Sequence, residues 1–370
     1  MKNTRVLFLT LNTFSLTGGI EKVCRCLAKV FSDLNETSDL TFKLLSFHDE
    51  KSDLDARFLR AENFKGFKSN AISFGISSLL MGIRSRQVIL SHINLLLFAR
   101  LIKFISPRTK IILFAHGIEI WRPLAHWKKR FIQQRVEIWA VSNYTASRLV
   151  ELHQFDANNI KIVNNCLDPF FELPLNFEKS TALMERHNLT EDQPVLFTLS
   201  RLSSQETYKG YDRVLMAIPN LLKKFPTLHY ILAGKADDAE RERVKDLINQ
   251  LNLKTHVTLA GFVKDEELTD YFCLGNIFIM ASTMEGFGIV FIEAAACGAQ
   301  VIGGNNDGST DALLSGKLGT LVNPGNVTEI AMAIEKNLVS KRDPSAIQRL
   351  CIANFGYAQY VEQIKKLILC

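Results

Sequence analysis

Apolar residues along this chain come in short dense runs, separated by longer stretches with an apolar position every three or four residues. RVLFLTLN (5–12) is mostly apolar, as expected of a strand covered on both faces. GGIEKVCRCLAKVFSDL (18–34) then sets Ile20, Val23, Leu27, Val30 and Phe31 at helical spacing. The alternation continues through FKLLSF (42–47), QVILSH (87–92), KIILFAH (110–116), EIWAVS (137–142) and KIVNN (161–165), with helical stretches between most of them. Two prolines in LDPFFELPLNFEKS (167–180) break the pattern and mark a linker. It restarts with PVLFTLSRL (194–202), a helix over 210–224, LHYILAG (228–234) and a helix over 237–251. VTLAGFV (257–263), NIFIMAS (276–282), a helix starting near Gly288 and QVIGG (300–304) complete the series. Such alternation predicts an α/β protein with two doubly wound, parallel-sheet halves of similar size. Neither half carries G-x-G-x-x-G after its first strand, which speaks against a dinucleotide-dependent oxidoreductase.

A length of 370 residues agrees with two cores, and 25 Phe supply material for both. Charge changes the picture more. The net +6 conceals 24 Lys+Arg against 14 Asp+Glu in residues 1–170, leaving 20 against 24 in the remainder. Between Arg57 and Arg135 there are 15 basic residues and two acidic ones, Glu62 and Glu119. This bias points to an anionic surface or acceptor as the partner of the first half. The seven cysteines are scattered, with neither zinc-site nor disulfide-framework spacing, and read as reduced thiols of a cytoplasmic protein. The basic start before RVLFLTLN lacks a small-residue cleavage site, so it reads as a strand and not as a signal peptide. Residues 71–105 are interrupted by Arg84, Arg86, His92, Arg100 and Lys103, and no uncharged stretch reaches the roughly 18 residues of a membrane span.

In open parallel sheets ligands bind beyond the carboxyl ends of the strands, and several polar or glycine-rich stretches sit there. TGGIEK (17–22) opens the first helix, where Gly18 and Gly19 allow a ligand close to free helix amides. His116 ends a strand beside Gly117, placed to donate to a substrate hydroxyl or to stabilise a transient charge. In SRLSSQETYKG (200–210), Arg201 and Lys209 flank a polar loop and suit a diphosphate. GFVKDEEL (261–268) offers backbone groups near Val263 to a planar base, with Asp265 as a helix cap. In EGFGIVFIEAAACG (285–298), Glu285 precedes a helix that Gly286, Phe287, Gly288 and Ile289 open, and Glu293 lies more than one turn inside it. Ionised carboxylates only accept hydrogen bonds, so both suit adjacent hydroxyls of a sugar or a ribose. The plainer reading makes each of these an ordinary turn, cap or solvated charge. The triplet Asp53-Leu54-Asp55 is assigned to a solvated loop and not to a metal site.

The E-x₇-E pattern from Glu285 to Glu293 resembles the retaining glycosyltransferases of family 4, which have the GT-B fold. LSRLSSQETYKGYDRVLMAI, ILAGKADD, VTLAGFV, AVSNYTASRL and TGGIEKV support the likeness in the family's order. It is tight in the second half and looser between residues 45 and 110. The resemblance implies two Rossmann-like domains facing across a cleft. An acceptor-binding domain would span 1–168, a linker 169–180, a nucleotide-sugar-binding domain 181–354, and a helix over 355–370 would return to the first domain. Arg201 and Lys209, aided by Gly18 and Gly19, would neutralise the donor diphosphate. Glu285 with the Gly286, Phe287, Gly288 and Ile289 stretch would hold the transferred sugar, Glu293 the ribose, Val263 the base, and His116 the sugar near the reacting carbon. The chain departs from the family in having Asn164, Asn165 and Cys166 where P-N-G is frequent. It also has GGNNDGSTDAL (303–313) in place of G-G-x-x-E, so Asp307 or Asp311 would stand in for a glutamate.

On this likeness a hexosyl unit passes from a UDP- or GDP-sugar to a glycan or lipid-linked saccharide, with retention, on the same face of the sugar ring. The setting would be synthesis of envelope polysaccharide or glycoprotein glycan. No cofactor or essential metal is expected, since side-chain cations face the diphosphate. WRPLAHWKKRFIQQR (121–135) mixes Trp121, Leu124, Trp127 and Phe131 with five cations, suiting an anionic leaflet. Residues 57–135 are therefore expected to touch an anionic membrane peripherally, on the inner face of the cytoplasmic membrane. No nucleic-acid module is visible. The rival readings are a nucleotide-sugar 2-epimerase on the same fold and a non-catalytic nucleotide-sugar-binding protein.

Overall fold

The apolar runs become strands of two parallel sheets in a computed structural model that describes residues 4–369. Met1–Asn3 and Cys370 lie outside the described residues. One unit runs through Pro169 and takes in the chain from Gly356 onward; the other is Phe170–Phe355.

In chain order the first unit contains β1 (Thr4–Thr10), α1 (Gly19–Thr37), β2 (Leu40–Ser46), β3 (Phe64–Gly66), α2 (Ala71–Gly82) and β4 (Gln87–Leu90). It continues with α3 (Leu96–Ile105), β5 (Lys110–Ala115), α4 (Ile118–Trp121), α5 (His126–Arg135), β6 (Val136–Ala140), α6 (Asn143–His153) and β7 (Ile160–Ile162). The sheet order is β3-β2-β1-β4-β5-β6-β7, parallel throughout. All of β1 but Arg5 is buried, as a strand with helices on both faces requires. Phe31 of α1 stacks on Phe42 of β2 at 4.8 Å, and burying such a ring contributes about 2–3 kcal/mol.

The second unit runs α7 (Thr181–Arg186), β8 (Val195–Leu199), α8 (Tyr211–Leu221), β9 (His229–Ala233), α9 (Asp238–Gln250), β10 (Val257–Gly261) and α10 (Leu268–Leu274). Then follow β11 (Ile277–Met280), α11 (Ile289–Ala296), β12 (Gln300–Gly304), α12 (Ser309–Ala312), β13 (Thr320–Val322), α13 (Val327–Val339) and α14 (Pro344–Phe355). Its order is β10-β9-β8-β11-β12-β13, again parallel. In each sheet the first strand of the unit has later strands on both sides. The order therefore reverses at β1/β4 and at β8/β11, the places where open parallel sheets bind ligands beyond the strand ends.

The segment 169–180 is not a free linker. Past Pro169 it is held by the second unit: Phe171 lies 6.5 Å from Phe272, and the Glu172 carbonyl accepts from Thr269 Oγ1 at 2.5 Å. The return to the first unit comes at Gly356, and α15 (Tyr357–Leu369) docks there by a buried Tyr360–Ile364–Ile368 stripe. Tyr357 donates to Asp33 of α1 at 2.8 Å, and Gln363 donates to the Ile162 carbonyl at 2.9 Å. The six described cysteines are buried and free.

Candidate active site

Lys209 and Glu285 are distant in sequence, but their loops leave β8 and β11, the two strands at which the second sheet reverses. The loops run against each other because Gly210, at φ +77, lets the backbone turn left-handed before α8. A Cβ there would lie 2.0 Å from the Ala281 carbonyl oxygen, so no side chain fits. Thr283 N–H donates to the Tyr208 carbonyl at 3.0 Å and locks the loops together. The result is a Lys209 Nζ–Glu285 Oε1 ion pair of 2.5 Å, its side chains 18% and 12% exposed. Burial alone would lower the Lys209 ammonium, but the Glu285 carboxylate overrides it and holds the group above its ordinary value.

A second carboxylate fixes Glu285. Asp307 has no exposed surface, and its Oδ2 accepts from the Glu285 N–H at 2.8 Å and from Ser282 Oγ at 2.7 Å. Its Oδ1 accepts from the Ser309 N–H at 2.9 Å. The Glu285 carbonyl in turn accepts from the Gly308 N–H at 2.8 Å. Burial, and then the charge of Glu285, raise Asp307 to about 6. Of the two aspartates offered for the family's glutamate, Asp307 is thus committed to the protein's own backbone. Asp311 lies on α12.

Phe287 is buried, its ring 5.6 Å from Phe355, so the side chain anchors the loop and the adjoining backbone is what a ligand would meet. Gly288, at φ +86, is the cap residue of α11 and has no side chain to accept from the amides that open the helix at Ile289. Glu293 sits inside α11 at 2% exposure and is not a solvated helix charge. Arg201 is not drawn to the Lys209–Glu285 pair: it is exposed and pairs with Glu206 at 3.2 Å. Val263 is buried beyond β10, where Gly261 turns at φ +72. Asp265 is not the cap there, because Lys264 occupies that position and Asp265 falls in the first turn.

The other expected residues lie in the first unit. Gly18 and Gly19 open α1, and a Cβ on Gly19 would meet nothing within 4 Å, so open space lies beside it. His116 stacks on Phe114 at 5.1 Å, and its Nε2 lies 3.1 Å from the Ser91 carbonyl at the end of β4. Burial, and then His92, push His116 down to about 3, so the ring is neutral at ordinary pH. A carbonyl only accepts, hence Nε2 carries the proton and Nδ1 is an acceptor. This revises the expectation that His116 donates: toward a sugar hydroxyl, Nδ1 can only receive. Two carboxylates that sequence reasoning passed over position these loops. Glu119 accepts the His116 N–H at 2.6 Å, and buried Asp49 accepts from the Thr13, Phe14 and Ser15 amides after β1. Among the described residues no group of three or more His, Cys, Asp or Glu is placed to hold a metal ion.

Residues 179–349 match the family model of glycosyl transferases group 1. The chain is 28% identical over 250 residues to a GDP-mannose-dependent alpha-(1-6)-phosphatidylinositol monomannoside mannosyltransferase of Mycolicibacterium smegmatis, covering 64% of this chain and 63% of that one. The enzyme of the same description from Mycobacterium tuberculosis is 27% identical over 279 residues, 70% of each chain. Among solved structures, Anabaena Alr3699/HepE in complex with UDP-glucose superposes with a TM-score of 0.78 over 98% of both chains at 19% identity, a likeness of fold. These findings do not favour the epimerase and non-catalytic readings. The chain spans just under two thirds of the Mycolicibacterium smegmatis relative; its residues 179–349 match glycosyl transferases group 1, and its two parallel-sheet units share the fold of the solved neighbour.

Proposed function

We propose that the chain moves a hexosyl unit, with retention, from a UDP- or GDP-sugar to a glycan or lipid-linked saccharide of envelope polysaccharide or glycoprotein glycan synthesis. The observation that carries this reading is the braced Lys209–Glu285 pair at the β8/β11 strand ends, where a parallel sheet binds ligands. Relatives that act on GDP-mannose, and a neighbour bound to UDP-glucose, support the donor class.

An ammonium has three donors, so Lys209 can keep its bond to Glu285 while reaching phosphate oxygens. As the glycosidic bond breaks, its charge and the uncapped start of α11 offset the negative charge growing on the diphosphate. Arg201 would exchange Glu206 for the same diphosphate. Glu285 accepts from hydroxyls of the transferred sugar, Glu293 from the ribose, and His116 Nδ1 from a hydroxyl near the reacting carbon. The Val263 backbone would meet the base, and Gly18 and Gly19 would face the diphosphate at the start of α1, with open space beside Gly19 and the Glu21 carboxylate against Gly18. The acceptor hydroxyl then attacks the face the diphosphate leaves, its proton passing to a donor phosphate oxygen. These side chains supply the positive charge, so no cofactor or essential metal is assigned. Residues 57–135, with 15 cations against two acids, fit an anionic, lipid-linked acceptor and a peripheral place on the inner face of the cytoplasmic membrane. Among the described residues no helix is long and apolar enough to cross a membrane.

The stereochemistry is open to direct test. Given an α-linked nucleotide sugar, the product should carry an α-glycosidic bond by the one-bond carbon–hydrogen coupling of its anomeric centre. A β-linked product would overturn the same-face course.

A further inference from the structure

An exposed apolar face outside the site lies on the first unit. α2 turns Phe74, Ser78 and Gly82 into the core, yet Ile72, Ile76 and Leu80, one stripe at i, i+4 and i+8, are exposed, Ile72 at 77%. α3 buries Leu96, Ala99 and Ile102 and exposes Leu97, Leu101, Phe104 and Ile105, with Phe104 at 84%. The two helices are neighbours. Phe74 meets Phe98 at 5.1 Å, and Gly82 lies so close to Ile102 that a Cβ would come within 2.4 Å of it. A helix apolar on both its inner and outer faces is built to be covered on both, and an exposed patch of this kind marks an interaction site.

Charge identifies the cover. Arg84, Arg86, Arg100 and Arg108 are exposed on α2, α3 or the segments that follow them, and no Asp or Glu occurs between Glu62 and Glu119. A second copy of the chain pairing through this face would set cations against cations with no acid to neutralise them. The Trp-rich segment that sequence reasoning favoured is not the inserting element. Trp121, Leu124, Trp127 and Phe131 pack against the core of the unit, and Arg100 lies over the Trp127 ring at 5.5 Å.

We infer that the α2–α3 face docks on an anionic lipid bilayer, with Ile72, Ile76, Phe104 and Ile105 entering the acyl boundary and the arginines meeting lipid phosphates. This deepens the lipid-linked acceptor reading by naming the surface that brings the protein to its acceptor. Co-sedimentation of the full chain with vesicles tests it. At low salt the wild type should bind phosphatidylglycerol–phosphatidylcholine vesicles at least tenfold better than pure phosphatidylcholine. The variant Ile72→Ser/Ile76→Ser/Phe104→Ser should lose that binding while its nucleotide release with a soluble acceptor stays unchanged. Arg84→Gln/Arg108→Gln should weaken binding and flatten its salt dependence. Indifference of the wild type to anionic vesicles, or full binding by the triple serine variant, overturns the inference. So does a wild-type dimer that the triple variant abolishes, since it hands the face to a second copy. Failure to bind with transfer intact sinks this inference alone. Binding without transfer from any donor sinks only the functional reading.

Discussion

Lys209→Ala lowers acceptor-dependent nucleotide release by about a thousandfold, mostly in kcat. Removing one preorganised group that faces developing charge costs roughly 10²–10³, and a cation on a transferring phosphate can be worth more. Lys209 has both properties: it is largely buried and held charged by Glu285. The substitution also strands the Glu285 carboxylate. Because that side chain keeps some exposure, the stability loss should fall below the roughly 3–5 kcal/mol of a fully buried broken pair. Thermal unfolding followed by circular dichroism separates this loss from the kinetic one. Glu285→Gln is the companion variant, keeping an acceptor oxygen while removing the charge. Wild-type turnover by both folded variants would remove the pair from the site.

Asp307→Asn lowers turnover about a hundredfold although Asp307 has no exposed surface from which to touch a ligand. Its two oxygens accept three bonds, from the Glu285 N–H, Ser282 Oγ and the Ser309 N–H. An asparagine offers one oxygen and one NH₂, so it sets a donor against one of those amides and pushes a loop away. Misplacing a reacting geometry by about 1 Å can cost about 10²-fold. The pH dependence gives a signature that simple instability would not. Asp307 is raised from 3.8 to about 6, so the folded protein holds this proton more tightly than the unfolded chain. The group's contribution to stability is therefore full below pH 3.8 and is lost as pH rises toward 6. The ionised form, which accepts all three bonds, exists above that range. Wild-type turnover should fall as pH drops through about 6. The asparagine variant should lack this limb in a pH–kcat profile, and an unchanged limb would assign it to another group.

The reach of sequence reasoning follows from the range of the forces involved. Runs such as RVLFLTLN and KIILFAH announced buried strands because a strand with helices on both faces must be apolar throughout. The glycines of EGFG marked the start of α11 because Gly288 adopts a left-handed φ there. What depended on long-range pairing was not legible. Nothing local to Asp307 says that it accepts an amide 22 residues earlier, and nothing beside His116 says that a carbonyl 25 residues away takes its Nε2 proton. Arg201 looked like a free cation beside a diphosphate loop, yet Glu206 in the same loop holds it. The segment 121–135, offered from its aromatics and cations as a membrane-facing stretch, meets the same limit. Periodicity finds apolar faces but not which of them the fold covers, so the aromatics of 121–135 went inward while α2 and α3 kept theirs exposed. The three-residue strand β3 was too short for any pattern.

The measurement that bears most directly on the whole account is incubation of the protein with UDP- and GDP-hexoses, with and without a membrane-extract acceptor. Each reaction is followed for nucleotide and for the sugar. The account predicts that one donor releases its nucleotide only when acceptor is present and that the hexose appears on the acceptor. Conversion of the donor to its 2-epimer, or tight binding of a donor with no turnover under any acceptor, would contradict it.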